Sequence, residues 1–296
     1  MRWSAGLCLF LVSCPVLAKP LQCSFEIVGG HLLKVPVRLN DTTPSFMILD
    51  TGIGLNLLSP ALAQRLRCPM QGSYTGQRMS GQPLEVPLAG LESLALAGRR
   101  QAPVQVGLWD MAGLLPGGEE FQGVAGFLSL TYFRDLPFTL DYSKKLLILE
   151  DEASLAVRAD QGQAVPIRCE WDKETALTAS VALSLPEGTA IQVQLDSGSD
   201  SLILDESWLA RLGIGHEDAG VTRRQGKDET GHEFTRYFAH LAAPVRLLEA
   251  PEIASQPSPS VMFQPIIHQG LLGHSFLRDY TVTWDLPHSR LLFAKP

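Results

Sequence analysis

The feature that most constrains this chain is a strand–loop–helix element that occurs twice. Residues 46–66 read FMILDTGIGLNLLSPALAQRL, and residues 192–213 read QVQLDSGSDSLILDESWLARLG. In both, an apolar strand-like run ends in Asp, a hydroxyl residue and Gly, and a second apolar run leads into a helix. The helix starts are predicted at Ser59-Pro60 and at Asp205-Glu206. The chain is therefore predicted to contain two related halves.

The similarity of the two halves extends to both sides of this element. Upstream, each half has two strand-like runs joined by a turn, at Asn40 to Pro44 and at Pro186 to Gly188. Each half closes with Gly-apolar-apolar-Gly, an Arg-Asp pair, an alternating strand and a final apolar strand, in residues 123–149 and 270–293. Short strands and turns dominate, so the fold class is predicted to be mainly β with two pseudo-twofold-related lobes, each with a short helix.

The lobe boundaries follow from the positions of the repeated pattern. We expect an N-terminal lobe at residues 24–150 and a C-terminal lobe at residues 166–296. Residues 151–165 are polar and are interpreted as a linker between them. The Pro/Ser-rich residues 250–260 are interpreted as a surface loop inserted into the second half.

Composition excludes several classes of function. The 296 residues carry a net charge of −7, whereas nucleic-acid-binding proteins usually carry a basic surface. No apolar run approaches the roughly 20 residues that a membrane-spanning helix needs. His232 and His240 lack the spacing of metal ligands, and no paired-cysteine or Gly-x-Ser-x-Gly motif occurs. No metal, no cofactor and no nucleic-acid partner are predicted.

The N-terminus has the pattern of an export signal, with Arg2, an apolar run over residues 5–12, and small Ala18. One interpretation is a secretory signal over residues 1–18. The other is a lipoprotein signal ending before Cys14, which would then attach the chain to a membrane. A buried first helix is a third, less favoured interpretation. An exported, periplasmic or cell-envelope protein is expected, and Cys23, Cys68 and Cys169 then allow at most one disulfide.

Asp50 and Asp196 end apolar strands, where a carboxylate is costly unless it is paired or hydrogen-bonded. If the halves pack about a pseudo-twofold axis, the two carboxylates meet at that axis. Two adjacent carboxylates do not both ionise easily and share one proton. The charged one can then act as a general base on water, and the protonated one can polarise a carbonyl oxygen. This chemistry hydrolyses peptide bonds without a covalent intermediate.

From about residue 30 to the C-terminus, the chain resembles aspartic peptidases of the pepsin and retropepsin superfamily, most closely bacterial retropepsin-like proteases with two tandem lobes. The resemblance is carried by ILDTG (48–52), QLDSG (194–198) and the Gly-apolar-apolar-Gly elements at 123–126 and 270–273. It implies catalytic roles for Asp50 and Asp196, with flaps near 75–82 and 225–232. It also implies that the following hydroxyl and glycine residues support the catalytic loops, namely Thr51, Gly52, Ser197 and Gly198.

The fourth position of each loop differs between the halves, with Ile53 in the first and Ser199 in the second. The family geometry predicts that the Ser199 hydroxyl donates to Asp196, and Ile53 offers no such bond. The resulting hypothesis is an exported, monomeric aspartic endopeptidase acting on polypeptides. The rival hypothesis is a non-catalytic peptide-binding protein of the same fold, which Ile53 favours. In a third arrangement, each lobe would pair with its counterpart in another chain.

Overall fold

The computed structural model describes residues 20–115, 117–227 and 233–296. The predicted export signal, residues 1–18 with its alternative end before Cys14, lies outside the described residues. None of the described helices is long and apolar enough to cross a membrane.

The first half contains thirteen strands within the described ranges and one α-helix. The strands are β1 (Leu21–Ser24), β2 (Glu26–Val28), β3 (Leu32–Leu39), β4 (Thr43–Leu49), β5 (Leu57–Leu58), β6 (Met70–Gln77), β7 (Pro83–Leu91), β8 (Leu94–Leu96), β9 (Arg99–Gln101), β10 (Val104–Leu108), β11 (Val124–Leu128), β12 (Phe138–Asp141) and β13 (Leu146–Leu149). The helix α1 (Pro60–Arg65) lies between β5 and β6. Short 3₁₀ turns occupy Met111–Gly113, Glu119–Phe121 and Leu130–Phe133.

The second half follows α2 (Glu152–Gln161) and also contains thirteen described strands. They are β14 (Gln163–Pro166), β15 (Arg168–Asp172), β16 (Ala176–Ser184), β17 (Ala190–Leu195), β18 (Leu202–Asp205), β19 (Thr222–Lys227), β20 (Glu233–His240), β21 (Arg246–Leu247), β22 (Ala250–Ala254), β23 (Ser260–Gln264), β24 (Gly270–Leu272), β25 (Thr281–Asp285) and β26 (Arg290–Ala294). Its helices are α3 (Trp208–Arg211) and α4 (His274–Leu277), with a 3₁₀ turn at Leu286–His288.

The two halves repeat each other strand for strand. The first lobe's sheet runs β6-β7-β10-β5-β11-β4-β3-β8-β9, with β2 beside β3, and the second runs β19-β20-β23-β18-β24-β17-β16-β21-β22, with β15 beside β16. Every strand of the second sheet is therefore the thirteenth after its counterpart. Alternate residues of the strands point into each core. In β3, for example, Leu33, Val35, Val37 and Leu39 are all buried.

A third sheet joins the lobes, in the order β1-β13-β12-β25-β26-β14. At its centre β12 and β25 pair antiparallel, with Thr139 opposite Thr283. Their side-chain oxygens lie 2.7 Å apart, and the pseudo-twofold axis passes between them. The predicted mainly β, two-lobed fold is confirmed, and the lobes pair with each other within one chain.

Helix α1 begins as the sequence predicts. Ser59 is its N-cap, and the Ser59 hydroxyl accepts a hydrogen bond from the Leu62 N–H, while Pro60 occupies the first helical position. The second helix differs from its predicted start at Asp205-Glu206. Asp205 ends β18, and its carboxylate accepts bonds from the backbone and hydroxyl of Ser207. These bonds form a turn, so α3 begins only at Trp208.

Two segments that were interpreted as a linker and as an inserted loop contain regular structure. The predicted linker, 151–165, holds α2, whose first turn is closed by reciprocal bonds between Asp151 and Ser154, followed by most of β14. The interpretation of residues 250–260 as an inserted surface loop holds for residues 255–259 and is wrong for residues 250–254. Residues 250–254 form β22, the counterpart of β9, because they pair with β21, and β23 begins at Ser260.

Candidate active site

Two loops, one from each lobe, meet at the bottom of the cleft. We call residues 50–53 the first Asp loop and residues 196–199 the second Asp loop. Asp50 directly follows β4, and its N–H donates to the Leu128 carbonyl at 2.9 Å. Asp196 directly follows β17, and its N–H donates to the Leu272 carbonyl at 3.0 Å. The matching bonds place the two Asp residues at equivalent positions of the two lobes.

Each Asp side chain packs against the glycine of the opposite loop. A Cβ added to Gly52 would lie 2.5 Å from Asp196 Cγ, and one added to Gly198 would lie 2.5 Å from Asp50 Cγ. Any side chain at either position would push the carboxylate across from it out of place. Glycine is therefore required here for close approach, and the two carboxylates lie face to face.

The hydroxyls after the two Asp residues join the loops through four hydrogen bonds. The Ser197 hydroxyl accepts from the Thr51 N–H at 3.1 Å and donates to the Leu49 carbonyl at 3.1 Å. Reciprocally, the Thr51 hydroxyl accepts from the Ser197 N–H at 2.9 Å and donates to the Leu195 carbonyl at 3.0 Å. Thr51 and Ser197 are fully buried, so this network holds the loops in a fixed mutual position.

The environment keeps a proton on the pair of carboxyls. Burial, followed by the charge of Asp196, raises the pKa of Asp50 well above its ordinary value. Burial also raises the pKa of Asp196. Backbone N–H groups oppose these shifts: those of Gly52 and Ile53 donate to Asp50 Oδ1 at 2.9 and 3.0 Å. Two such carboxyls lose their protons in separate steps and hold one proton between them over a wide pH range.

The fourth loop residues differ from their predicted roles. The Ser199 hydroxyl does not donate to Asp196, because it donates instead to the Ser201 carbonyl at 3.2 Å within its own turn. Asp196 Oδ1 accepts from the Gly198 N–H at 2.9 Å. Ile53 contributes its backbone N–H to Asp50 and lines the cleft with its side chain. The two halves of the site therefore use backbone donors alike.

Two residues that contact these loops were missed by the sequence analysis. Gln194 Nε2 donates to the Gly52 carbonyl at 2.9 Å, from the second lobe to the first. His31 Nε2 lies 3.2 Å from the Gly198 carbonyl, from the first lobe to the second. Only weak signals in the sequence point to these two contacts. Gln194 is a polar residue at a buried strand position where the first half has Ile48, and His31 follows a Gly-Gly turn.

Hairpins from both lobes cover the cleft in front of the carboxylates. The β6–β7 hairpin turns at residues 78–82, within the predicted flap 75–82, and the Met79 carbonyl accepts from the Ile267 N–H of the other lobe at 2.9 Å. Further down the hairpin, the Tyr74 hydroxyl donates to Asp172 at 2.7 Å. The second predicted flap, residues 225–232, begins in β19, and its residues 228–232 are outside the described part of the chain.

Between the hairpins and the first Asp loop lies a cavity of about 630 Å³. Apolar and aromatic side chains form much of its wall, including Ile53, Leu55, Leu57, Leu84, Trp109 and Phe234. A groove of about 850 Å³ lies elsewhere, on the outside of the first lobe against α1, and contains neither Asp loop. We assign the candidate site to the smaller cavity, because it adjoins the paired carboxyls.

The cysteines contribute neither a disulfide nor a metal site in the described ranges. Cys23, Cys68 and Cys169 are all free thiols and partly buried. Burial raises the pKa of Cys23 to about 11 and also raises the pKa values of Cys68 and Cys169. Among the residues that the structure describes, no cluster of His, Cys, Asp and Glu could hold a metal ion.

Comparison with known proteins agrees with this fold. Residues 35–127, which include the first Asp loop, match the family model described as aspartyl protease. The basic 7S globulin from soybean superimposes with a TM-score of 0.52 at 11% identity, covering 94% of this chain and 97% of the globulin. Conglutin gamma, a basic 7S globulin from lupine seeds, gives 0.51 at 10% identity, covering 94% and 96%. No curated protein matches significantly.

Proposed function

We propose that this chain, which has the bilobal aspartic-protease fold and an aspartyl protease match in its first lobe, is an aspartic endopeptidase that uses Asp50 and Asp196. The observation that carries the proposal is the close packing of the two partly buried carboxyls, each against the glycine of the opposite loop. A protein with only a structural use for these loops would gain nothing from two costly carboxyls at one point.

In the proposed mechanism, the ionised carboxyl of the pair removes a proton from a water molecule held between Asp50 and Asp196. The water oxygen attacks the carbonyl carbon of the peptide bond, while the protonated carboxyl donates a hydrogen bond to the carbonyl oxygen. The tetrahedral intermediate then collapses as a carboxyl returns a proton to the leaving amine. Thr51 and Ser197 support this step by fixing the distance between the loops.

The cleft supports a polypeptide as the substrate. It runs between two lobes beneath two hairpins, which suits an extended chain, and the cavity beside Ile53 suits an apolar side chain next to the cleaved bond. The residues that would carry out hydrolysis all lie in one chain, so we propose a monomer that needs no cofactor.

The test is hydrolysis of a peptide library by the purified protein between pH 3 and pH 8, with and without pepstatin. Asp50→Asn and Asp196→Asn should each abolish cleavage, because one carboxyl cannot hold both protonation states. The double variant should be no less active than either single one, since the two residues act as a unit. Asp160→Asn, at an exposed position on α2, is the matched control and should cleave at the wild-type rate. Substantial cleavage by either single site variant would refute the proposed dyad.

The second candidate function is peptide binding without turnover. It is favoured by Ile53, which replaces the small or hydroxyl residue common at this position, and by the likeness to two globulins that are not described as proteases. Saturable binding of library peptides, with no cleavage at any pH and no effect of Asp50→Asn on affinity, would support this candidate over the peptidase.

We also propose that the protein is exported, from the pattern of its first 18 residues. N-terminal sequencing of the processed protein distinguishes the two signals. A secretory signal cleaved after Ala18 leaves Lys19 first, whereas a lipoprotein signal leaves a lipidated Cys14 and a membrane-bound protein. Cys14→Ser should release the protein from membranes only in the second case. Recovery of the unprocessed chain from the cytoplasm would contradict both.

A further inference from the structure

One side chain of the first lobe, that of His31, lies within hydrogen-bonding distance of Gly198, the glycine of the second Asp loop. No other residue that the structure describes makes such a bond. It lies in the turn between β2 and β3, after Gly29 and Gly30, whose φ angles of 57° and 83° belong to the left-handed region. This turn directs the half-buried imidazole across the lobe boundary. His31 Nδ1 lies 3.1 Å from the Gly29 carbonyl, and Nε2 lies 3.2 Å from the Gly198 carbonyl.

Both ring nitrogens of His31 therefore face carbonyl oxygens, which only accept hydrogen bonds. A neutral imidazole carries one N–H and one bare nitrogen, so it can make only one of these two bonds. The imidazolium carries two N–H groups and can make both. The contacts around His31 thus fit its protonated form.

The two Asp loops differ at this contact. The Gly52 carbonyl of the first loop is held from the opposite lobe by the neutral amide of Gln194, at 2.9 Å. The Gly198 carbonyl of the second loop is held from the opposite lobe by a side chain that can carry a positive charge. A pseudo-symmetric site thereby becomes electrically asymmetric, with the cation on the side of Asp196.

We propose that protonated His31 is a positioning residue of the site, which fastens the second Asp loop to the first lobe and keeps the negative charge of the carboxyl pair on Asp196. The catalytic part of this inference rests on the proposed peptidase function. It assigns Asp196 as the base and Asp50 as the proton donor. The bonding part of the inference, a doubly hydrogen-bonded imidazolium between the lobes, does not depend on catalysis.

The charged groups around His31 agree with this assignment. Burial raises the pKa of Asp196, and the hydrogen bonds from Asp50, Gly198 and Ser199, followed by the charge of His31, act in the opposite direction. His274, at the start of α4, is also affected by the charge of His31. Burial lowers the pKa of His274 to about 4, and the charges of Arg278 and His31 act in the same direction. His274 is therefore neutral above pH 5, and does not compete with His31 as the cation beside the second Asp loop.

The inference predicts a pH dependence of definite sign. As His31 loses its proton, one of its two bonds and its charge are lost together. The second Asp loop is then held less firmly, and Asp196 loses the cation that favours its ionised form. Activity that depends on His31 should accordingly be high at acidic pH and fall toward pH 8.

The first experiment reads the ring directly, by ¹⁵N NMR of the full-length wild-type protein labelled at histidine. At pH 5 we expect both nitrogens of His31 to be protonated and hydrogen-bonded, and His31→Gln assigns the signals by their loss. Thermal unfolding should show a difference of several degrees between wild type and His31→Gln at pH 5, shrinking toward pH 8. His240→Gln is the control, because His240 also contacts a carbonyl, that of Ser258, but at an exposed position.

The second experiment compares pH–rate profiles for a cleaved peptide. In His31→Gln, kcat/KM at pH 5 should fall about tenfold with KM nearly unchanged, and the difference from wild type should shrink toward pH 8. A neutral His31 ring at pH 5, or superimposable wild-type and His31→Gln profiles, would overturn the inference. If no peptide is cleaved at all, the peptidase proposal fails, while the NMR and unfolding comparisons still decide the role of His31.

Discussion

Ser197→Ala removes one hydroxyl from the network between the Asp loops and should strongly destabilise the fold. The Ser197 hydroxyl is the acceptor for the buried Thr51 N–H at 3.1 Å and a donor to the Leu49 carbonyl at 3.1 Å. Alanine can do neither, and the site is fully buried, so water cannot replace the hydroxyl. The Thr51 N–H then loses its partner in the protein interior.

The expected size of the effect follows from these two bonds. A buried donor left without an acceptor costs about 1–3 kcal/mol, and a typical net hydrogen bond contributes about 1 kcal/mol. Ser197→Ala should therefore lower the free energy of unfolding by about 2–4 kcal/mol. Folded proteins are stable by only about 5–15 kcal/mol, so the loss is a large fraction of the whole.

Urea unfolding followed by tryptophan fluorescence and by circular dichroism measures this loss. The two probes and the slopes of the unfolding curves must agree between variants before free energies are compared. Ser73→Ala is the matched control, because Ser73 lies on an exposed strand and makes one bond, to Glu85 at 2.8 Å. It should change the unfolding free energy by no more than about 0.5 kcal/mol. Equal unfolding of Ser197→Ala and Ser73→Ala would refute the claim that the hydroxyl network holds the lobes together.

Three further predictions concern other contacts. Gly52→Ala places a Cβ 2.5 Å from Asp196 Cγ and should lower peptidase activity about a hundredfold, because it displaces that carboxyl. In the same assay Gly117→Ala should retain wild-type activity, since its Cβ meets nothing within 4 Å. Arg158→Met leaves buried Glu150 without the guanidinium that lies 2.9 Å away, and should lower the free energy of unfolding in urea by about 3–5 kcal/mol. Adding Glu150→Gln should recover part of this loss, because it removes the unpaired buried charge. Burial raises the pKa of Asp196 in the folded protein above its value in the unfolded chain. The contribution of this carboxyl to stability is therefore fully present below the unfolded pKa and is lost as the pH rises through the folded pKa. Asp196→Asn should therefore unfold at higher urea than wild type at pH 7, and this advantage should disappear near pH 3; an advantage that grew with acidity would contradict the shift.

The sequence predicted those parts of the fold that local pattern encodes. Alternating apolar residues mark strands, and Ser59-Pro60 marks the start of α1, because capping depends on neighbours in the chain. The Asp-hydroxyl-Gly triplets could be recognised for the same reason, and their duplication predicted that Asp50 and Asp196 would meet. Residues 250–254 were misinterpreted, since their strand is defined by its pairing with β21 and not by its own composition.

The contacts that distinguish the two Asp loops could not be predicted in this way. His31 and Gln194 reach their glycine carbonyls across sequence separations of 167 and 142 residues. His31 lies outside the repeated motifs, and Gln194 occupies a position of the repeat at which the first half has Ile48. The Ser199 hydroxyl donates to the Ser201 carbonyl within its own turn, a contact that the repeated motif does not encode. The repeat therefore predicts what the halves share, whereas their differences depend on packing across the lobe boundary.

The six-stranded sheet between the lobes sets an order of events during synthesis. β12 pairs early with β13, but its other neighbour, β25, is made later, with Thr139 and Thr283 separated by 144 residues. At about 5–20 residues per second, the outer edge of β12 stays unpaired for roughly 7–30 s in every nascent chain. Residues 138–141 are all buried in the finished protein, and an unpaired strand edge pairs readily with another chain. First lobes on neighbouring ribosomes can therefore join each other during this interval, so fast elongation and well-spaced initiation should favour correct pairing of β12 with β25.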